Sequence, residues 1–416
     1  MGVVVEQILY RLFQIQQNLD AAVAVDLGKI NSLTKEIAAL NQAIHANEPT
    51  TFNANDYRDS RDLKVKKLSE IIDMDFVDEL DGQISLTRND GTPLVLRSTA
   101  FTVDTTINGN NKSFYDVLVR DPSGNETNIT STINGGTLKG YLEMRDTVVV
   151  EVLDKLDRLA AGFVKEFNNI HQQGFGLDGS TGNNFFNPLE TNVDANANNS
   201  GSTALTATNG DPSNISVDKY EITITGETSF SLQNETRGAS SGTYTFTSGS
   251  TFNIGNGFAV TISGTPVVGD KFKLSVSEGA ARNISIANNV SSNTSKISAG
   301  INSRTDGGNA LNLVGLQSKA LFDNITLDSA GSGTFTFDEF YSSLISTVGI
   351  QSASSQATFA QQEGILLQLD TRRENLSGVS IDEEMINMIK FQQAYNAAAR
   401  LIAMVDELLD NMIHQV

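Results

Sequence analysis

The chain has 416 residues, with 29 Lys plus Arg against 49 Asp plus Glu, a formal net charge of −20, and neither Cys nor Trp. So negative a chain repels phosphate backbones and anionic headgroups, which argues against nucleic acid and membrane surfaces as partners; lack of Cys excludes disulfides and thiolate metal sites. No apolar run approaches the roughly 20 residues that span a bilayer, and the opening MGVVVEQILYRLFQIQQ lacks signal-peptide organisation.

From Val3 to Ala46, apolar residues such as Ile8, Leu12, Ile15, Leu19, Ile30, Ile37 and Ile44 recur at three- and four-residue spacing. They predict a long helix, with a bend or break near Asp26–Gly28 where the seam shifts. A turn containing Pro49 ends it, and a charge-laced second helix is predicted over Asn55–Ile72. From Phe76 to Asn134 the period switches to two, and Asp-Gly and Pro-Ser-Gly turns punctuate it, as in a small antiparallel β-domain. Helix returns over Leu138–His171. Asn192–Asn209 reads as a polar linker, and strands follow between Ser216 and Ser277.

Beyond Ala280 the chain turns helical again. Thr336 and Glu339 form a T-x-x-E capping box opening a helix to about Leu376, whose middle, Gln351–Gln362, is dominated by Ser, Ala and Gln. Ser380 and Glu383 form a second box, and Asp382, Glu383 and Glu384 load the first turn with the charge that a helix N-terminus favours. Then Met385, Met388, Gln392, Tyr395, Ala399, Ile402, Val405, Leu409 and Met412 alternate at three and four residues, a coiled-coil-like seam running almost to Val416. Such a stripe is an assembly element, expected to be mobile in a free monomer and ordered between subunits.

The alternation of blocks implies an α+β multidomain chain. An elongated, coiled-coil-like helical body is built from discontinuous segments, with two inserted β-rich domains and a C-terminal amphipathic helix. The boundaries read 1–75, 138–190 and 281–378 for the body, 76–137 and 191–280 for the β-domains, and 379–416 for the assembly helix.

Chemistry is sparse. His45, His171 and His414 are scattered without metal-ligand spacing. Gly174–Gly179, GFGLDG, matches G-x-G-x-x-G but follows a helix instead of a strand, so it reads as a turn. No catalytic residue, metal site or cofactor is expected.

The C-terminal stretch, with Asp382–Glu384, Gln392–Tyr395, Ala397–Arg400 and Asp406–Glu407 after Ser377–Ser380, resembles the flagellar hook-associated protein 1 family. Ile30–Ile44, Tyr57–Ile72, Gly135–Leu159 and Phe163–Phe186 are similar to that family too. The resemblance implies a structural subunit joining hook to filament, exported by the flagellar type III route to the extracellular flagellum. Its implied partners are other copies of itself, hook protein, the neighbouring junction protein, and a cytoplasmic export chaperone at the C-terminal helix. Family members open with a helix and an N-I-A-N/T-P-G-Y type segment absent here, so the resemblance implies a chain starting inside the body domain. A surface adhesin, or another axial protein of hook or rod type, is the alternative reading.

Overall fold

The computed structural model describes residues 2–47, 54–323, 333–377 and 381–414. Contacts divide the chain into Met1–Leu344 and Ile345–Val416.

In the first unit, helices α1 (Gly2–Asn47) and α2 (Asn55–Ile71) pack together. Strands β1 (Asp75–Asp78), β2 (Ile84–Thr87), β3 (Pro93–Leu96) and β4 (Thr99–Ala100) form an antiparallel meander. Strands β5 (Thr102–Ile107), β6 (Tyr115–Arg120) and β7 (Glu126–Asn128) form a second. These sheets share the core of the helices: Ile84, Leu86, Leu94, Val103, Val117 and Val119 lie in one cluster with Val23, Leu27, Ile30, Ile37, Leu68, Ile72 and Leu138.

The expected break near Asp26–Gly28 is not there, since α1 runs unbroken. Asp26 is buried and accepts from Thr137 Oγ1 at 2.7 Å and Lys29 Nζ at 2.8 Å. The shift in apolar period is filled by a polar contact to Thr137, in the helix that starts at Gly136.

Helix α3 (Gly136–Glu143) passes through one π-helical turn, Met144–Val148, into α4 (Val149–Gln173). The turn carries Arg145, fully buried, which bonds Asp20 at 2.5 Å and forks onto Asp146 at 2.7 Å while lying over the Phe114 ring.

The second β-region is larger than the sequence suggests. Asn192–Asn209 is not a linker but supplies β8 (Asn192–Ala195) and β9 (Ala204–Asn209). With β10 (Tyr220–Gly226), β11 (Ser229–Asn234), β12 (Ala239–Thr245), β13 (Thr251–Gly255), β14 (Phe258–Ser263) and β15 (Lys271–Ser275) they make two sheets, ordered β12-β11-β10-β15-β8 and β13-β14-β9. Alternate residues point inward, as in β14, where Phe258, Val260 and Ile262 are buried. The two sheets enclose one core, including Tyr220, Ile222, Phe230, Leu232, Phe258 and Phe272.

Beyond it lie the short helices α5 (Ala280–Asn283), α6 (Asn288–Ser291) and α7 (Gly308–Gly315). Helix α8 (Phe337–Ser377) starts in this unit. Its Thr336/Glu339 box is formed: Thr336 N–H donates to Glu339 Oε2 at 2.8 Å, and Glu339 N–H donates to Thr336 Oγ1 at 3.3 Å. Phe340 joins a cluster with Ala161, Val217, Leu316 and Phe322, and Leu344 joins one with Leu9, Leu156 and Ala281.

In the second unit, the rest of α8 is followed by α9 (Ile381–His414). Every side chain described from Ile345 onward is exposed.

Candidate assembly surface

Helix α9 carries Asp382, Glu383 and Glu384 in its first turn, as its N-terminal dipole favours. Ser380, the expected cap, lies outside the described residues. All nine seam positions fall within this one helix. Met385, Met388, Gln392, Tyr395, Ala399, Ile402, Val405 and Leu409 are exposed, with Tyr395 at 75%. The Met412 side chain lies outside the description.

At 100° per residue a three/four stripe drifts slowly around a straight helix, so the seam keeps to one side over each two turns. A second stripe is also exposed: Ile386, Ile389, Ala397, Leu401 and Met404, set off by one or two residues from the first. Gln393, Asn396, Ala397, Arg400, Leu401 and Met404 line a shallow depression along it. An α-helix with apolar rows on more than one side is built for burial by several neighbours. The second stripe was readable in the sequence, but counting from Met385 alone selects the first.

Helix α8 offers similar material. Ile345, Val348, Phe359, Leu366 and Leu369 are exposed, separated by the Ser-, Ala- and Gln-rich middle. Small residues there let another backbone approach closely.

The sequence reading also missed the polar side chains that hold the β-elements in place. Asn31 Nδ2 donates to Val103 C=O at 2.7 Å, and its Oδ1 accepts from Val103 N–H at 2.8 Å. Asn41 does the same for Ile84. Asn168 accepts from the N–H groups of Phe185 and Phe186 and donates to Phe186 C=O. Asp157 accepts from Gly279 and Ala281 N–H groups, while burial pushes its carboxyl above the ordinary range. Lys219 bridges Asp154 at 2.7 Å and Glu278 at 3.8 Å. Such bonds fix a sheet to a helix in one register, because leaving them unmade strands buried backbone groups.

His45 and His171 do not converge. His45 lies 3.7 Å from Asp81, and His171 is buried elsewhere. The GFGLDG segment is a turn whose Phe175 bridges to Gly300 and whose Asp178 caps Ser180. Among the described residues no group of three or more His, Asp or Glu side chains is placed to hold a metal ion. No described helix is long and apolar enough to cross a membrane.

Residues 5–186 match the family model described as "Flagellar hook-associated protein FlgK helical domain", and residues 374–414 match "Flagellar basal body rod FlgEFG protein C-terminal". The chain is 28% identical over 402 residues to flagellar hook-associated protein 1 of Escherichia coli, covering 96% of this chain and 71% of that protein. The protein of the same name from Bacillus subtilis is 26% identical over 427 residues, covering 97% of this chain and 67% of the other. Among solved structures, the flagellar hook junction protein FlgK from Burkholderia pseudomallei superimposes with a TM-score of 0.75 at 19% identity, over 91% of this chain and 88% of that one. That last likeness shows a shared fold.

Proposed function

The chain belongs to the flagellar hook-associated protein 1 family, and from that membership we propose that it is a structural subunit joining hook to filament through its terminal helices. The observation that carries the assembly role is the exposed double stripe of α9, from Met385 to Leu409. Burying each large apolar side chain of such a stripe gives about 1.5–3 kcal/mol, which a second helix can supply and water cannot.

The family is structural, not enzymatic, and its place is the extracellular flagellum. Membership implies hook and junction-protein neighbours. Other copies of this chain would grip the seam in the assembled state, and an export chaperone would cover it in the cytoplasm, since an exposed Met-rich stripe invites aggregation. The segments 1–75, 138–190 and 281–378 would act as the body, 76–137 and 191–280 as β-modules, and 379–416 as the assembly helix.

The test is genetic. Cells lacking the gene should make hooks and release filament subunits unattached, and the wild-type gene should restore attached filaments. Normal filaments on the deleted cells would overturn the assignment.

A further inference from the structure

Strand β1 is an open edge. Its sheet runs β1-β2-β3-β4, so among the described strands β1 is paired on one side only. Register decides which backbone groups face outward. Glu79 N–H donates to Gln83 C=O, and both backbone groups of Ile84, the residue opposite Asp78, are taken by the Asn41 amide. The ladder bonds therefore fall on Val77 with Ser85 and on Asp75 with Thr87, leaving N–H and C=O of Phe76 and Asp78 turned away from the sheet.

The side chains along this edge are unusual. All of β1 is exposed, with Phe76 at 62% and Val77 at 56%, and Leu80 in the following turn is fully exposed. Asp75 and Asp78 have no ion-pair partner among the described residues. Charge on an edge strand guards against unwanted pairing, which accounts for the two aspartates. It does not account for a Phe-Val pair held in water between them.

A second copy is a poor occupant. Antiparallel pairing of two β1 strands through their outward-facing groups sets Phe76 against Phe76 with Asp75 against Val77, or Phe76 against Asp78 with Asp75 against Glu79, so neither aspartate meets a cation. Nowhere does this chain carry the complement, two basic residues separated by two apolar ones. We propose that β1 accepts, by strand addition, an extended segment of a different protein bearing a basic–apolar–apolar–basic run. Phe76 and Asp78 share one face of the strand, Asp75 and Val77 the other. A partner strand of that pattern sets apolar residues against Phe76 and Val77 and cations against both aspartates, in either direction. Backbone bonds to Phe76 and Asp78 supply affinity, and the side chains supply selection.

Three synthetic peptides test this on the intact chain: one with the core Lys-Val-Phe-Lys, one with Asp-Val-Phe-Asp, and the basic one N-methylated on the amides facing the edge. Binding is read by fluorescence anisotropy, and location by amide hydrogen exchange at Phe76 and Asp78. The basic peptide should bind and slow exchange at both amides, and the other two should not. The double variant Asp75→Asn, Asp78→Asn should weaken binding about fivefold without moving the melting temperature. Equal binding of the acidic or methylated peptide, or no protection at Phe76 and Asp78, overturns the proposal. Concentration-dependent protection without peptide would make a second copy the occupant and overturn it too.

Discussion

The side-chain amide of Asn41 stands in for a strand beside Ile84: Nδ2 donates to the Ile84 carbonyl at 2.7 Å and Oδ1 accepts from its N–H at 3.2 Å. The same Nδ2 reaches Arg97 C=O, and Arg61 donates to Oδ1. Asn41 is fully buried, so no water can replace these bonds. Asn41→Leu should therefore lower stability by about 2–5 kcal/mol, because it strands more than one buried backbone group. Asn47→Ala, at an exposed residue whose side chain bonds, among the described residues, Ala43 C=O alone, should stay within about 0.5 kcal/mol. Denaturant midpoints of the two variants make the comparison.

Asn41 also marks where sequence reading stops. Asn31, Thr34 and Asn41 sit on the inward face of α1 among Ile30, Ile37 and Ile44. In the sequence they look like interruptions of an apolar seam. The strand partners of Asn31 and Asn41 lie 43 to 72 residues away, and no local pattern announces a bond of that range. The strands β8 and β9 escaped notice for a related reason. They are Asn-, Ala- and Thr-rich, and acquire strand character only against β15 and β14. What was legible was local: the extents of α2 and α8, the Thr336/Glu339 box, and the single-helix stripe of α9.

His171 predicts an acid-sensitive fold. It is fully buried, its Nδ1 lies 2.7 Å from Asn183 C=O, and its Nε2 accepts from Ser298 N–H at 2.9 Å. That pairing requires the neutral ring with the proton on Nδ1. Burial holds its pKa below the ordinary 6.5, against the opposing pull of the Asn183 carbonyl. A histidine with a lowered folded pKa contributes stability above its unfolded pKa, lost as pH falls toward the folded value. Below pH about 6.5 the unfolded chain binds the extra proton first. Stability should fall over that range, and His171→Gln should flatten this part of the profile. An unchanged slope in the variant would assign the acid sensitivity to other groups.

The two β-regions should differ when excised. Residues 189–277 carry their own core, from Leu189 and Val193 to Phe272 and Val276. Expressed alone, they should melt cooperatively with near-native β content. Residues 76–137 should not, since Ile84, Leu86, Val103 and Val119 pack on Val23, Ile30, Ile37 and Leu68. Circular dichroism and one-dimensional NMR dispersion of the fragments decide both points.

Helix α9 should be the least protected helix in the free chain and the most consequential in assembly. Its described side chains are all exposed, so its hydrogen bonds have no tertiary burial behind them, and a helix without such support is marginal in water. Amide hydrogens from 381 to 414 should exchange within seconds in the monomer, while those of α4, backed by Leu156, Ala161 and Val164, persist. Replacing Ile402 and Val405 by Asp removes apolar surface that buries nothing in the free chain. The monomer's melting temperature should stay put, and filament attachment should be lost when the variant replaces the chromosomal gene. Strong protection of 381–414 in the monomer, or a lowered melting temperature in the variant, would mean that the seam is covered within its own chain. The stripe would then be core and not interface.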